Sequence, residues 1–247
     1  MIQQRILPFT GVLNFRDLGG YQTADGRVTR WRHLYRSDVL HDLTANDLEL
    51  FRSLGVAAIV DLRNPSEVER TGRGLLANEP INFVNASVLS MEDVEERQDT
   101  SVLGEDYLWQ RYLSYLEIGP GAFVRAIEEM AVGDNYPMVF NCFFGKDRTG
   151  VLAALVLSCL GVDPRTIVED YALTETRVEL ILEKLRSDPI HRDTIDKSDP
   201  LLFTSNARTM SRFLEELDHR HGGARSWALN AGVDSQLLDV LSDELLE

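Results

Sequence analysis

The stretch PMVFNCFFGKDRTG, from Pro137 to Gly150, holds the residue types and spacing best suited to chemistry. Cys142 is followed six positions later by Arg148, with a glycine and a lysine between them. An apolar strand, a cysteine, a charged glycine-containing loop, an arginine and an apolar helix in this order favour a nucleophile beside an anion site. Backbone N–H groups of a tight turn at a helix N-terminus bind anions and also stabilise a thiolate. We therefore predict that Cys142 is a nucleophile.

The neighbours of Cys142 have predicted roles in holding a phosphoryl group. Arg148 presents a planar fork that grips two phosphoryl oxygens, and lysine there would be a poor replacement. Gly145 lets the backbone approach a ligand without a side-chain clash. Thr149, predicted to open the following helix, is placed to bond the cysteine sulfur or to help release a phosphoenzyme. The predicted phosphate-binding residues are Phe143, Phe144, Gly145, Lys146, Asp147 and Arg148.

Other chemistry fits these residues less well. A nucleotide-binding loop needs a glycine where Phe140 stands, and Ser or Thr where Asp147 follows the lysine. Cys159, inside ALVLSCLG, is predicted to be a core residue because cysteine is among the most buried residue types. The two cysteines have no disulfide or metal-ligand spacing, and no further ligand completes a site with His219 and His221. We expect no metal site.

Composition limits the function classes. The chain has 247 residues and a formal net charge of −15, which argues against a nucleic-acid binder because phosphate backbones are held mainly by lysine and arginine. No apolar run approaches the roughly 20 residues that span a bilayer, and the N-terminus lacks the pattern of a leader peptide. We expect a cytoplasmic protein with no stable membrane insertion. Export without a leader peptide and the oligomeric state stay open.

The coarse pattern predicts one α/β domain over residues 1–247. GYQTADGRVTRWRHLYRSD is typical of strands joined at an Asp25-Gly26 turn. LTANDLELFRSLG indicates a helix capped by Thr44. VAAIVDLR predicts a buried strand that presents Asp61 and Arg63 at its end. INFVNA and PMVFN each predict a further strand. The second half is mostly helical, so strands come first and helices later.

At this point the residues resemble a known family. CFFGKDRTG fits the Cys-x5-Arg-Thr/Ser signature of the protein tyrosine phosphatase superfamily. NFRDLGGYQTADGR, LYRSD, DLRNPSE and GVDPRTIVEDY are similar to the bacterial tyrosine/serine phosphatases whose loop reads GKDRTG. The resemblance runs from about Asn14 to Tyr171. It implies a central mixed β-sheet flanked by helices, a helical C-terminal half, a helical lid within Thr174 to Ser205, and no cofactor.

The resemblance also implies a reaction. Cys142 attacks phosphorus to form a phosphocysteine, an acid protonates the leaving oxygen, and water then cleaves the intermediate. In this subfamily the loop carboxylate, here Asp147, is the suggested general acid. Asp147 could instead pair with Arg63. The other candidate acids are Asp93, Asp99, Asp106 and, more weakly, Asp61.

The implied substrates are phosphotyrosine and also phosphoserine or phosphothreonine in proteins. Lys146 beside the arginine resembles phosphatases that accept phosphoinositides, where a second cation meets a second phosphate; alternatively it only raises the local potential. Asn14, Arg16 and Asp17 are expected to support the loop from behind, or only to form the turn before Gly19-Gly20.

One position departs from the family pattern. The family usually has histidine immediately before the nucleophile, and this chain has Asn141. Histidine helps to orient the loop and keep the thiol acidic, whereas asparagine can still donate hydrogen bonds to loop carbonyls. We interpret the change as a tuned or slower site, with Thr149, Asn141, Arg63 and Asp61 as supporting residues. The alternative is a pseudophosphatase that only binds phosphorylated partners.

Overall fold

A computed structural model describes residues 5–89, 102–187 and 189–247. The described strands form one sheet in the order β1-β2-β5-β3-β4. Their bounds are β1 Arg16–Asp17, β2 Leu34–Ser37, β3 Ala58–Asp61, β4 Asn82–Asn85 and β5 Met138–Asn141. The β1 strand is antiparallel to β2, and all other pairs are parallel. The sheet is therefore mixed, as predicted.

Both faces of the sheet are covered. Met138 and Phe140 of β5 belong to the larger apolar cluster, whereas Val139 between them belongs to the smaller one. This alternation follows from the two-residue period of a strand. The smaller cluster also holds Phe15 and Phe51, so the N-terminal segment and the first helix cover that face.

The described α-helices follow and separate the strands. Their bounds are α1 Ala45–Ser53, α2 Pro65–Thr71, α3 Tyr107–Ile118, α4 Pro120–Met130, α5 Asp147–Cys159, α6 Pro164–Ala172, α7 Glu175–Ser187, α8 Pro189–Lys197, α9 Ala207–His221, α10 Ala224–Ala231 and α11 Ser235–Leu245. The α5 helix is buried along most of its length, which matches its nearly continuous apolar sequence. It lies against β2 and β5 and connects the centre of the sheet to the helical half.

Two short helices begin where the sequence provides caps. Thr44 accepts a hydrogen bond from the Asp47 N–H, and the Asp47 carboxylate accepts one from the Thr44 N–H. Asn64 and Glu67 form the same reciprocal pair at the start of α2, with Pro65 in the first turn. The α2 cap fixes the position of Glu67, which matters for the site.

The structure differs from the prediction at two places. The α5 helix begins at Asp147, two residues before the predicted Thr149. Residues around Asp25-Gly26 form a turn, but their pairing is limited to one bridge between Gln22 and Val28. Beyond that bridge the backbone bonds are shared: the Thr29 N–H donates to the Tyr21 carbonyl at 2.9 Å, whereas the Val28 N–H donates to the Glu247 carbonyl at 2.9 Å.

Candidate active site

Cys142 lies at the carboxyl edge of the sheet, immediately after β5. Residues 142–148, here called the signature loop, connect β5 to the start of α5. The parallel neighbours β2 and β3 end beside it, with Ser37 and Asp61 both in register with Asn141. Carboxyl ends of adjacent parallel strands are the usual place for a site in an open α/β sheet. Cys142 itself is 1% exposed.

Gly145 is required by the close approach of the signature loop to the end of β2. Its φ is +68°, and a Cβ there would lie 2.6 Å from the Asp38 nitrogen and 2.7 Å from the Ser37 oxygen. Both atoms belong to backbone, which cannot move aside cheaply. The loop conformation therefore excludes any other residue at this position.

Two carbonyls of the signature loop are held from outside. The Asn14 Nδ2 donates to the carbonyls of Phe144 at 3.3 Å and Gly145 at 3.2 Å, and the Arg36 Nη2 donates to the Gly145 carbonyl at 2.9 Å. Because C=O and N–H point in opposite directions across a trans peptide, the N–H groups of Gly145 and Lys146 face the other way. Adjacent N–H groups on one side of a loop are the arrangement that binds anions in nests.

A buried ionic network stands behind these contacts. Asp170 accepts from the Arg16 Nε at 3.0 Å, the Arg36 Nη1 at 2.7 Å and the Tyr21 hydroxyl at 2.9 Å. Burial alone would raise the pKa of Asp170, but the two guanidinium groups outweigh it and hold that pKa well below its usual value. The Arg16 Nη1 also donates to the Asn14 Oδ1 at 2.6 Å, so the network reaches the loop.

Arg148 is anchored at one edge of its guanidinium. Its Nη1 and Nη2 donate to the Glu67 carboxylate at 2.7 Å and 3.1 Å, and Nη1 also donates to the Leu62 carbonyl at 3.2 Å. Burial raises the pKa of Glu67, but the charge and hydrogen bonds of Arg148 outweigh it and lower that pKa. These contacts use three of the five N–H donors of an arginine, so Nε–H and one Nη2–H remain as an edge for two oxygens.

Asp147 lies in the first turn of α5, with its side chain 23% exposed. The Tyr112 hydroxyl donates to its Oδ1 at 2.7 Å, and the Lys146 Nζ lies 3.4 Å from the same oxygen. Burial raises the pKa of the Asp147 carboxyl, but Lys146, Arg111, Tyr112 and Arg148 together outweigh it and lower that pKa. The alternative pairing of Asp147 with Arg63 is wrong, because the Arg63 guanidinium pairs with Asp61 instead.

Lys146 turns away from the centre of the signature loop. Its ammonium donates to the backbone carbonyls of Leu202 and Thr204, in the 3-10 turn Pro200–Phe203 and just after it. Only 1% of Lys146 is exposed, and burial lowers the pKa of its ammonium. The contact ties the signature loop to the segment predicted as a lid.

Asn141 and Thr149 are both buried next to the loop. The Asn141 Nδ2 lies 3.4 Å from the Asp61 Oδ1, while the Asn141 Oδ1 has no hydrogen-bond partner among the described residues. The Thr149 hydroxyl likewise has none within the described part of the chain, so it makes no hydrogen bond to the Cys142 sulfur here.

Asp61 and Arg63 form a buried pair of their own. The Arg63 Nη2 lies 2.6 Å from the Asp61 Oδ2, and the Arg63 Nη1 donates to the Thr71 hydroxyl at 2.7 Å. Their contacts therefore fix the connection from β3 to α2, which carries Glu67. Asp61 also faces Asn141, so the pair reaches the site through that side chain.

The remaining candidates are spread over the molecule. Asp93 and Asp99 lie outside the described residues. Asp106 accepts from the Trp109 indole at 3.0 Å and lies near Arg208, not in the signature loop. Cys159 is half-buried at the opposite end of α5, where burial raises the pKa of its thiol to about 11. The described residues hold no group of three or more His, Cys, Asp or Glu side chains suited to a metal ion.

Sequence reasoning missed four residues that contact the site or support it from behind. Three of them stand in motifs quoted for the resemblance: Arg36 in LYRSD, Glu67 in DLRNPSE and Asp170 in VEDY. The fourth is Tyr112, an isolated tyrosine of α3. The pattern Asn-Pro-Ser-Glu is a signal that could have marked Glu67 as a capping residue, but not its partner Arg148. Tyr112 has no recognisable motif around it.

The chain is similar to proteins that are already known. The tyrosine phosphatase family matches residues 7–247. A Cupriavidus necator protein provisionally named a tyrosine-protein phosphatase is 30% identical over 69% of this chain and 63% of its own length. A tyrosine-protein phosphatase of Nostoc commune is 28% identical over 58% of this chain and 49% of its own. This chain thus spans less than two thirds of both relatives.

Two further likenesses have wider coverage at lower identity. The triple specificity protein phosphatase PtpB of Mycobacterium tuberculosis is 24% identical over 96% of this chain and 97% of its own length. A solved structure of the Siw14 catalytic core is 14% identical, covering 86% of this chain and 96% of that one with a TM-score of 0.42. At that score the structural likeness adds nothing to the fold described above.

Proposed function

The chain belongs to the tyrosine phosphatase family, and from that premise we propose that it hydrolyses phosphotyrosine through a phosphocysteine intermediate. The observation that carries the proposal is the joint arrangement around Cys142. The N–H nest of the signature loop and the remaining edge of Arg148 supply donors for a phosphoryl group next to the sulfur.

The first proposed step transfers the phosphoryl group to the enzyme. The Cys142 thiolate attacks phosphorus, the S–P bond forms, and the P–O bond to the leaving group breaks. The leaving oxygen takes a proton from Asp147. The donors of the loop and of Arg148 bind the equatorial oxygens, where charge is spread in the transition state.

The second proposed step frees the enzyme. Asp147, now ionised, takes a proton from a water molecule while the water oxygen attacks phosphorus. The S–P bond breaks, Cys142 returns to the thiolate, and inorganic phosphate leaves. The groups around Asp147 lower the pKa of its carboxyl, which suits the base role. The phosphoryl dianion, present in both steps, raises that pKa, so Asp147 can also hold the proton that it gives up in the first step.

We extend the proposal to phosphoserine and phosphothreonine, because the name of the Mycobacterium tuberculosis relative assigns triple specificity to that protein. Phosphoinositide hydrolysis is supported less. Its prediction depended on Lys146 meeting a second phosphate, and in the structure that ammonium donates to two backbone carbonyls.

The pseudophosphatase alternative has no specific support. The nucleophile, the arginine with its carboxylate anchor and the loop carboxylate are all present around Asn141. The cytoplasmic location and a single domain over 1–247 stay predictions. Among the described residues, every helix is too short or too polar to cross a bilayer.

The proposal is tested by steady-state hydrolysis of 4-nitrophenyl phosphate and a phosphotyrosine peptide. We expect wild type to turn over both and Cys142→Ser to turn over neither. Cys159→Ser is the matched control, since Cys159 lies at the far end of α5, and it should keep wild-type turnover. Binding of the peptide without Cys142-dependent turnover would instead establish the pseudophosphatase.

A further inference from the structure

Two buried tyrosine hydroxyls lead to Asp147 from the side of α5 that faces the helical half. Tyr112 of α3 is 0% exposed, and its hydroxyl lies 2.7 Å from the Asp147 Oδ1 and 2.7 Å from the Tyr171 hydroxyl. Tyr171 of α6 is 1% exposed. A buried phenol hydroxyl is costly unless it is hydrogen-bonded, so this chain of groups has a defined arrangement.

The direction of the chain follows from the charge on Asp147. An ionised carboxylate can only accept, so the Tyr112 hydroxyl donates to the Oδ1. The oxygen of Tyr112 then accepts from the Tyr171 hydroxyl. Burial, and next the charge of Asp147, raise the pKa of Tyr112 well above its usual value, so it stays a donor.

The two oxygens of Asp147 consequently differ. The Tyr112 hydroxyl and the Lys146 ammonium both lie on the Oδ1 side, at 2.7 Å and 3.4 Å. A proton on the carboxyl group therefore adds more favourably to Oδ2, since Oδ1 is already used as an acceptor. With 23% of the side chain exposed, Asp147 is also open to solvent.

We propose that Tyr112, backed by Tyr171, is a positioning residue that holds Oδ1 of Asp147 as an acceptor, so that Oδ2 carries the proton to the leaving group. The proposal rests on the proposed function, because it assigns Tyr112 a part in the same reaction. Tyr112 acts through Asp147 and does not touch the substrate. The titratable and charged groups that face Asp147 are Lys146, Arg148, Arg111, Tyr112, Tyr115 and Tyr171.

Removal of the Tyr112 hydroxyl has a predictable sign. A donor to the ionised form lowers a carboxyl pKa, so Tyr112→Phe should raise the pKa of Asp147. Turnover of phenyl phosphate, whose leaving group needs a proton, should fall about 10- to 100-fold, because proton transfer from a misplaced acid is inefficient. Turnover of 2,4-dinitrophenyl phosphate should change much less.

The direct test is a ¹³C NMR titration of the Asp147 side-chain carboxyl, assigned with Asp147→Asn. We expect a higher pKa of Asp147 in Tyr112→Phe and a smaller rise in Tyr171→Phe. The Tyr171→Phe variant provides the test if Tyr112→Phe does not fold. Tyr136→Phe is the matched control: its partly buried hydroxyl donates to the Met130 carbonyl, away from the site, and its removal should leave the titration unchanged.

An unchanged Asp147 titration in Tyr112→Phe would overturn the inference. If Asp147→Asn lowers the turnover of phenyl phosphate and 2,4-dinitrophenyl phosphate equally, Asp147 is not the acid, and the positioning role of Tyr112 is overturned with it. Absence of any Cys142-dependent turnover would overturn the proposed function and the part of Tyr112 in it, whereas a raised pKa of Asp147 in Tyr112→Phe would still establish the contact between the two side chains.

Discussion

Three residues of the signature loop are each constrained by a different neighbour. Gly145 is limited by backbone atoms of Ser37 and Asp38, Arg148 by Glu67, and Asp147 by Tyr112. The site therefore depends on residues outside the motif as much as on the motif itself.

Gly145→Ala should disable the loop. The added Cβ meets backbone at 2.6 Å, so the loop must shift, and misplacement of about 1 Å costs about 100-fold in turnover. The measurement is kcat/KM on 4-nitrophenyl phosphate. Gly55→Ala is the control, because Gly55 has a similar φ of +67° with no heavy atom within 4 Å of the added Cβ. That control should lose about 1 kcal/mol of stability and no turnover.

Glu67→Gln should weaken catalysis without unfolding the protein. Loss of the charge loosens the bidentate anchor of Arg148, and we expect kcat/KM to fall about 10- to 100-fold. Glu79→Gln removes a carboxylate that is bidentate to Arg52 near the surface and should leave kcat/KM unchanged. If Glu67→Gln and Glu79→Gln had similar kcat/KM values, the Glu67 anchor of Arg148 would not contribute to catalysis.

At this scale, sequence reasoning reached only partners that are close along the chain. It singled out Cys142 and Arg148 together because a single loop fixes their spacing, and their roles stay predictions. Glu67 lies 81 positions from Arg148, and Asp170 lies 134 from Arg36, so only the folded sheet and its helices bring them together.

At the scale of elements, the buried network joins strands to a helix. Arg16 of β1 and Arg36 of β2 both pair with Asp170 of α6, across the start of α5. Gly150 of α5 allows that approach, since a Cβ there would lie 3.0 Å from the Tyr171 ring.

Asp170→Asn should destabilise the fold. Removing one partner leaves two buried guanidinium groups without their counter-charge, which costs about 3–5 kcal/mol. Urea denaturation measures the loss. Asp239→Asn, which removes an exposed pair with Arg225, should cost only about 0–1 kcal/mol. A loss in Asp170→Asn as small as in this control would contradict the account.

The pH dependence of that contribution has a definite sign. The folded pKa of Asp170 lies below its ordinary value of 3.8, so its stabilisation is fully present above 3.8 and is lost as pH falls through the folded pKa.

Local signals predicted elements unevenly. The Thr44 and Asp47 cap correctly marked the start of α1, because both groups lie within one turn. The prediction of strands around Asp25-Gly26 was only partly right, because residues 28–30 also pair with residues 245–247 at the other end of the chain. The sequence alone holds no signal for that pairing.

At the scale of the whole molecule, the helical half is attached to the signature loop. Lys146 reaches the carbonyls of Leu202 and Thr204, while Lys184 of α7 donates to the Gly11 carbonyl and pairs with Asp42 at 2.6 Å. The lid within Thr174 to Ser205 stays a prediction, and these contacts are where it would be held.

Lys146→Met should loosen the segment around the 3-10 turn. We expect faster amide hydrogen exchange at Leu202 and Thr204, since their carbonyls lose the buried donor. Lys184→Met is the control, because it removes a different lysine contact of the same half. Equal exchange in wild type and Lys146→Met would show that Lys146 does not hold the segment.

Cys142 is the residue that we propose to carry the phosphoryl group during turnover. The most direct measurement is acid quenching during turnover of an aryl phosphate, followed by mass spectrometry. Asp147→Asn should accumulate the intermediate because it lacks the base for the second step. We predict one added phosphoryl group, mapped to Cys142 in wild type and Asp147→Asn and missing in Cys142→Ser. Steady turnover in Cys142→Ser, or a phosphoryl group on another residue, would contradict the account.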